Sequence, residues 1–196
     1  ANSSITANFA VNVTLFSVTA STGTGNGGGG IVQCSVNGGA AGACGSYPVG
    51  TAVSVVATPN GVSLFSGWSG GSGSSLNANC NSATGPCNFT LTGNTTLTAN
   101  FNRPVLTVNV AGTGSVNSSP AGITNCTGLN CQASFDKGAV ITLTASGTGF
   151  SGWSLGSCPG TGTCQVTLTA STAVTATFGS DRKSTRLNSS HLGISY

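Results

Sequence analysis

One closing pattern recurs along this chain, and it limits the possible folds more than any other feature. Asn94-Thr95-Thr96-Leu97-Thr98-Ala99-Asn100-Phe101 ends one segment and Ser171-Thr172-Ala173-Val174-Thr175-Ala176-Thr177-Phe178 ends another. Ser3-Ser4-Ile5-Thr6-Ala7-Asn8-Phe9 has the same form near the start. Self-similarity at this period marks tandem units, each built as one supersecondary structure. The expected organisation is residues 1–9 as the last strand of a preceding repeat, 10–102 as a first repeat and 103–179 as a second. Other landmarks keep their order in both repeats. Phe65-Ser66-Gly67-Trp68-Ser69 matches Phe150-Ser151-Gly152-Trp153-Ser154, and the stretch from Gly50 to Ala57 matches that from Gly138 to Ala145. Cys34, Cys44, Cys80 and Cys87 align in sequence order with Cys126, Cys131, Cys158 and Cys164. The length differences fall at residues 23–30 and ahead of Cys80, where a loop tolerates insertion.

Leu106-Thr107-Val108-Asn109-Val110 alternates apolar with polar side chains, as do residues 141–145, 166–168 and 174–178. A period of two places one face of a strand in a core and the other in water. The abundant Thr and Val suit a pleated surface, and no stretch sustains a helical period. The expected fold is all-β, a tandem of small disulfide-stapled β-sandwich or rolled-sheet repeats with about five to seven short strands each.

Units of this size bury little apolar surface and need crosslinks. Sequence neighbours pair Cys34 with Cys44, Cys80 with Cys87, Cys126 with Cys131 and Cys158 with Cys164. Four cysteines per repeat allow three connectivities, so this local pairing is an expectation. A Cys₄ zinc site would hold its ligand spacing tightly, yet the first pair has different spacings in the two repeats. Disulfides are therefore favoured, and with them an oxidising, extracytoplasmic compartment. Phe65, Trp68 and Phe101, with Phe150, Trp153 and Phe178, are the expected structural core.

The order of strand, paired Cys, Gly-x-x-Val strand, Phe-Ser-Gly-Trp-Ser, paired Cys and Val-Thr-Ala-Thr-Phe resembles the divergent internalin-B B-repeat family of bacterial surface proteins. The resemblance covers both repeats and the leading strand. It implies a small β-rich module used in tandem in large extracellular proteins, without catalytic residues.

The charge pattern separates the last sixteen residues from the rest. Asp181, Arg182, Lys183, Arg186 and the single histidine, His191, all lie there, leaving Arg103, Asp136 and Lys137 as the charged side chains of residues 1–180. A body carrying two cations and one carboxylate has no basic patch for nucleic acid. Residues 181–196 correspond in frame to a translated sequencing-library adapter and are read as a non-native tail. Removing them is expected to leave thermal stability unchanged. The absence of Met and a start in mid-pattern lead to the expectation that the chain is a piece of a longer protein. No apolar run reaches the roughly 20 residues that span a bilayer, so membrane insertion is not expected.

Several motifs imitate chemistry. Gly67-Trp68-Ser69-Gly70-Gly71 and Gly152-Trp153-Ser154-Leu155-Gly156 fit the G-x-S-x-G nucleophile elbow, but that serine needs a histidine and an orienting acid. Residues 1–180 contain no histidine and a single carboxylate, Asp136. Residues 25–30 contain G-x-G-x-x-G, but the strand-like Ile31-Val32-Gln33-Cys34 follows where a dinucleotide site requires a helix. Glycosidase and hard-metal sites need more carboxylates than the body holds. Asp136-Lys137-Gly138 reads as a polar turn. The sequons at Asn12, Asn88, Asn94, Asn117 and Asn125 follow from composition and carry little weight.

The expectation is therefore a non-catalytic structural or adhesive segment of a secreted or cell-surface bacterial protein, with no catalytic, metal or cofactor residues. Its expected partners are neighbouring repeats of the same chain, with a glycan or protein ligand left open on loops 21–30 or 78–86. Two alternatives stand beside it: a carbohydrate-binding module that uses Trp68 and Trp153, and accessory repeats of an extracellular hydrolase.

Overall fold

The computed structural model describes residues 14–72, 80 and 84–179. The leading strand at residues 1–9, Asn12 and the tail with His191 lie outside the described residues. The described chain is nearly all β. The first repeat has seven strands: β1 Leu15–Gly25, β2 Gly30–Val36, β3 Ser46–Pro48, β4 Ala52–Pro59, β5 Leu64–Ser72, β6 Cys87–Thr90 and β7 Thr95–Asn102. The second has β8 Val105–Ala111, β9 Ser115–Ser119, β10 Cys131–Ser134, β11 Val140–Ser146, β12 Phe150–Trp153, β13 Cys164–Thr167 and β14 Thr172–Phe178.

Each repeat folds its strands into a four-stranded and a three-stranded sheet. The orders are β3-β1-β7-β5 with β2-β4-β6, and β10-β8-β14-β12 with β13-β11-β9. The two topologies superpose strand for strand. Within the four-stranded sheets, the first and last strands of a repeat pair in parallel, Val18 with Thr95 through Gly25 with Asn102, and Leu106 with Thr172 through Ala111 with Thr177. A parallel pair needs a long connection, and here the other five strands of the repeat supply it. By Cα proximity the chain divides into two compact units. One runs up to Val105 and includes Ser134–Ala139 and Leu168–Ser171, and the other holds Leu106–Ala133, Val140–Thr167 and the chain from Thr172 onward.

Burial follows the strand period. In β7 the residues Thr95, Leu97, Ala99 and Phe101 are buried while the side chains between them are not. Leu97, Ala99 and Phe101 meet Val53 and Val55 of β4, Phe89 of β6, Val18 and Trp68 in one apolar cluster. The second repeat buries Leu106, Val108, Ile141, Leu143, Val166, Val174, Ala176 and Phe178 by the same alternation. Each core mixes Leu and Ala with β-branched and aromatic side chains, and the latter two pack well on pleated surfaces.

The expected loop at residues 21–30 is corrected by the structure, because β1 continues to Gly25 and β2 starts at Gly30. Glycine-rich sequence is depleted in strands in general. Here the extension is held by ladder bonds to β7 and by the need for room beside a ring. A Cβ on Gly30 would lie 2.5 Å from the Phe101 ring, and one on Gly114 would lie 2.3 Å from the Phe178 ring. Gly30, the last glycine of the apparent phosphate-binding pattern, therefore lets an aromatic ring reach the backbone.

Candidate functional site

Phe-Ser-Gly-Trp-Ser builds the same corner in both repeats. The register between β5 and β7 shifts between Phe65 and Gly67, and that between β12 and β14 shifts between Phe150 and Gly152. Each shift is a β-bulge in which serine is the extra residue. Gly67 and Gly152 have φ of 123° and 137°, which side chains rarely adopt, so glycine is required at this point. The bulge serines donate across the ladder, Ser66 Oγ to the Asn100 carbonyl and Ser151 Oγ to the Thr177 carbonyl, both at 3.0 Å. The serines of the apparent nucleophile elbow are also structural. Ser69 Oγ accepts from the Asn100 amide at 2.7 Å, and Ser154 Oγ accepts from the Thr175 backbone N–H at 2.9 Å.

The bulge re-aims the tryptophan. The Trp68 indole N–H donates to the Gly85 carbonyl and the Trp153 indole N–H donates to the Gly162 carbonyl, each at 2.8 Å. Both carbonyls lie two residues before the second cysteine of a disulfide, Cys80–Cys87 and Cys158–Cys164 respectively. The indole thus ties down a disulfide-closed loop. Each tryptophan also meets the phenylalanine of its motif edge-on, Phe65 at 5.2 Å and Phe150 at 5.1 Å. Those phenylalanines continue to the closing strand, Phe65 to Phe101 at 5.6 Å and Phe150 to Phe178 at 5.0 Å. This indole–carbonyl link was not read from the sequence. Its signal is the Gly-x-Cys spacing shared by Gly85-Pro86-Cys87 and Gly162-Thr163-Cys164.

The six aromatic residues do not share one degree of burial. Trp68, Phe101 and Phe178 are buried, whereas Phe65, Phe150 and Trp153 are only half-buried. Phe65, though half-buried, packs against the first core. Trp68 and Trp153 differ in burial although their indole and ring partners match.

All eight cysteines of the chain are bonded locally: Cys34–Cys44, Cys80–Cys87, Cys126–Cys131 and Cys158–Cys164. Cys87 pairs with Val55 and Cys164 with Leu143, so the later bridge of each repeat occupies an equivalent place. The earlier bridge does not. Cys34 lies within β2 opposite Val55, the place of Ser118 opposite Leu143 in β9. Cys126 instead follows β9 and faces Val116 across an isolated bridge. The sequence-order match of Cys34 to Cys126 is therefore not a structural equivalence. A bridge that closes the connection between two strands can start from either side of it, provided the Cα atoms approach to about 4.4–6.8 Å.

No group of His, Cys, Asp or Glu that could hold a metal occurs among the described residues. Asp136 lies 3.1 Å from the Arg103 guanidinium, and both side chains are substantially exposed. Asp136 also heads a turn, its carbonyl accepting from the Ala139 N–H at 3.0 Å. The matching turn in the first repeat runs from the Pro48 carbonyl to the Thr51 N–H at 3.2 Å. The arrangement around the tryptophans can stack and anchor a loop, and its serines are all engaged by strand β7 or β14.

Residues 24–104 match the divergent InlB B-repeat domain. The matched span begins near the end of β1 and closes just after β7, which takes in the Trp68 corner and both bridges of the first repeat. This is the family that the motif order resembles. The second repeat has the same strand order as the first, with its own Trp153 corner. No curated protein matches the chain.

Proposed function

We propose that the chain is a non-catalytic spacer and interaction segment of a bacterial surface protein, acting outside the cytoplasm. The observation that carries this reading is the pair of seven-stranded repeats of one topology, each stapled by two disulfides, in a chain whose first repeat matches a B-repeat domain. Disulfides persist in oxidising compartments. Asp136 has no histidine or second acid near it for proton transfer among the described residues. The repeats instead present hydroxyl- and amide-rich outer faces, such as the rung Ser35, Ser54 and Asn88 and its counterpart Ser119, Thr142 and Gln165. The test displays an epitope on a bacterial surface through this chain and scores its access to a bulky antibody. Removing one whole repeat lowers access under the spacer reading; unchanged access rejects it.

A second reading, carbohydrate binding, draws on Trp153, which leaves part of its ring uncovered. Aromatic faces can stack on sugars, although the indole N–H is already committed to Gly162. Titration with cell-wall polysaccharides separates the readings: a saturable change in Trp153 emission supports sugar binding, and a flat response removes it.

A further inference from the structure

The parallel pairing of first and last strands gives each repeat a specific response to tension. The chain enters the first repeat at the Leu15 end of β1 and leaves it at the Asn102 end of β7. These two strands are adjacent and parallel, with Val18 beside Thr95 and Gly25 beside Asn102. Tension along the chain therefore pulls β1 backward and β7 forward, in opposite senses along their common axis. In the second repeat β8 and β14 stand in the same relation, from Leu106 beside Thr172 to Ala111 beside Thr177. The hydrogen bonds of a parallel ladder are evenly spaced and cross between the strands. Opposed pulls along the strands load them together, whereas a pull across one end would break them in turn.

We propose that each repeat is a load-bearing element whose β1–β7 or β8–β14 ladder acts as a shear clamp against forces along the chain. Forced unfolding is governed by the unfolding barrier rather than by equilibrium stability, and this topology raises that barrier in one direction only. Apolar burial reinforces the ladder. Leu97, Ala99 and Phe101 in β7 are anchored in the core, and so are Val174, Ala176 and Phe178 in β14. No cysteine lies in either ladder, since the four bridges close segments between the clamp strands. Sliding thus meets the ladder first, and the bridges then limit how far the released chain extends. The inference deepens the spacer reading and rests on it only for the direction of load.

Single-molecule pulling of the full oxidised chain from its two ends tests this. Two high-force events are expected, one per repeat. Repeating the pull after reduction assigns them. Freeing the crosslinked segments lengthens the step by about 50 Å for the first repeat and about 30 Å for the second, from the extended reach per residue and bridge separations of 10 and 7 against 5 and 6. The decisive variant moves the second attachment from the C-terminus to an azide-bearing residue replacing the exposed Thr169, just ahead of β14. The second repeat is then pulled at neighbouring ends of β8 and β14 and unzips, while the first keeps its geometry as an internal control. Loss of the second high-force event, with an unchanged circular dichroism spectrum, is the expected result. A second event of unchanged force overturns the clamp, as do low forces in both repeats when the chain is pulled by its ends. Either failure leaves the spacer reading to the epitope-access experiment.

Discussion

The two repeats differ in their first disulfides and in the cover over their tryptophans, while their strand order, bulges and second disulfides coincide. Cys34 sits inside β2, yet Cys126 lies beyond the end of β9. The bridges Cys80–Cys87 and Cys158–Cys164, by contrast, begin β6 and β13 at matching register. The difference shows which crosslink is coupled to its surroundings. The second bridge encloses the carbonyl that receives the indole N–H, so moving it would cost the indole its partner. The first bridges enclose no indole acceptor: the Cys34–Cys44 loop is held instead by the Tyr47 hydroxyl, which donates to the Ala43 carbonyl at 3.3 Å, and the Cys126–Cys131 loop by the Asn130 N–H, which donates to Asn109 Oδ1 at 2.8 Å.

The largest effect that would test this contrast is at the tryptophans. Trp68→Ala is expected to cost the first repeat about 3–5 kcal/mol, the usual range for removing a buried large aromatic. Trp153→Ala, at a half-buried ring, is expected to cost about half as much. Urea titrations of both variants, with far-ultraviolet circular dichroism as the signal, read the difference. Equal losses would mean that cover over the ring contributes little. Emission sharpens the same point, since Trp68→Phe leaves Trp153 as the sole indole and should shift the spectrum to the red.

Disulfide removal ranks next. Paired Cys→Ser changes at Cys34 and Cys44 should cost about 2.7 kcal/mol, against about 2.1 kcal/mol at Cys126 and Cys131, by loop-closure entropy for separations of 10 and 5. The pair Cys158 and Cys164 should exceed its loop-entropy value, because the Gly162 carbonyl that holds Trp153 loses its fixed position. Thermal melts of the three double variants order these losses. A smaller cost at Cys158 and Cys164 than at Cys126 and Cys131 would break the coupling argument.

Gly30→Ala and Gly114→Ala place a methyl group against Phe101 and Phe178 in turn. Each is expected to destabilise its own repeat by about 1–3 kcal/mol through overpacking. A loss in only one would separate the two ring environments. The smallest effect is at the ion pair, which has no counterpart where Pro48 heads the equivalent turn. Asp136→Asn should change stability by less than about 0.5 kcal/mol, as for other exposed pairs, and added salt should leave the melting temperature nearly unmoved.

Much of this fold was legible in the residues because its signals are local. Alternation at Leu106–Val110 or Val174–Phe178 reports a strand whose two faces meet different media, and it needs no knowledge of partners. Disulfides over short separations join residues that the chain already holds close. The Phe-Ser-Gly-Trp-Ser motif was visible as a corner, but its bulge depends on the register with Asn100 and Thr177, far along the chain. Gly30 looked like punctuation because the Phe101 ring it accommodates belongs to the last strand.

By itself the sequence determined the all-β class, the repetition and the strands, and it favoured near-neighbour pairing of the cysteines among three connectivities, all from interactions over a few residues. Only the tertiary structure decided that the first and last strands of a repeat lie side by side in parallel, that Cys34 and Cys126 are not equivalent, and that Trp153 is less covered than Trp68. Each of these depends on contacts between segments far apart in the chain. Alternation says that a strand has an inside, but the choice of neighbour is made by the packing of the whole repeat.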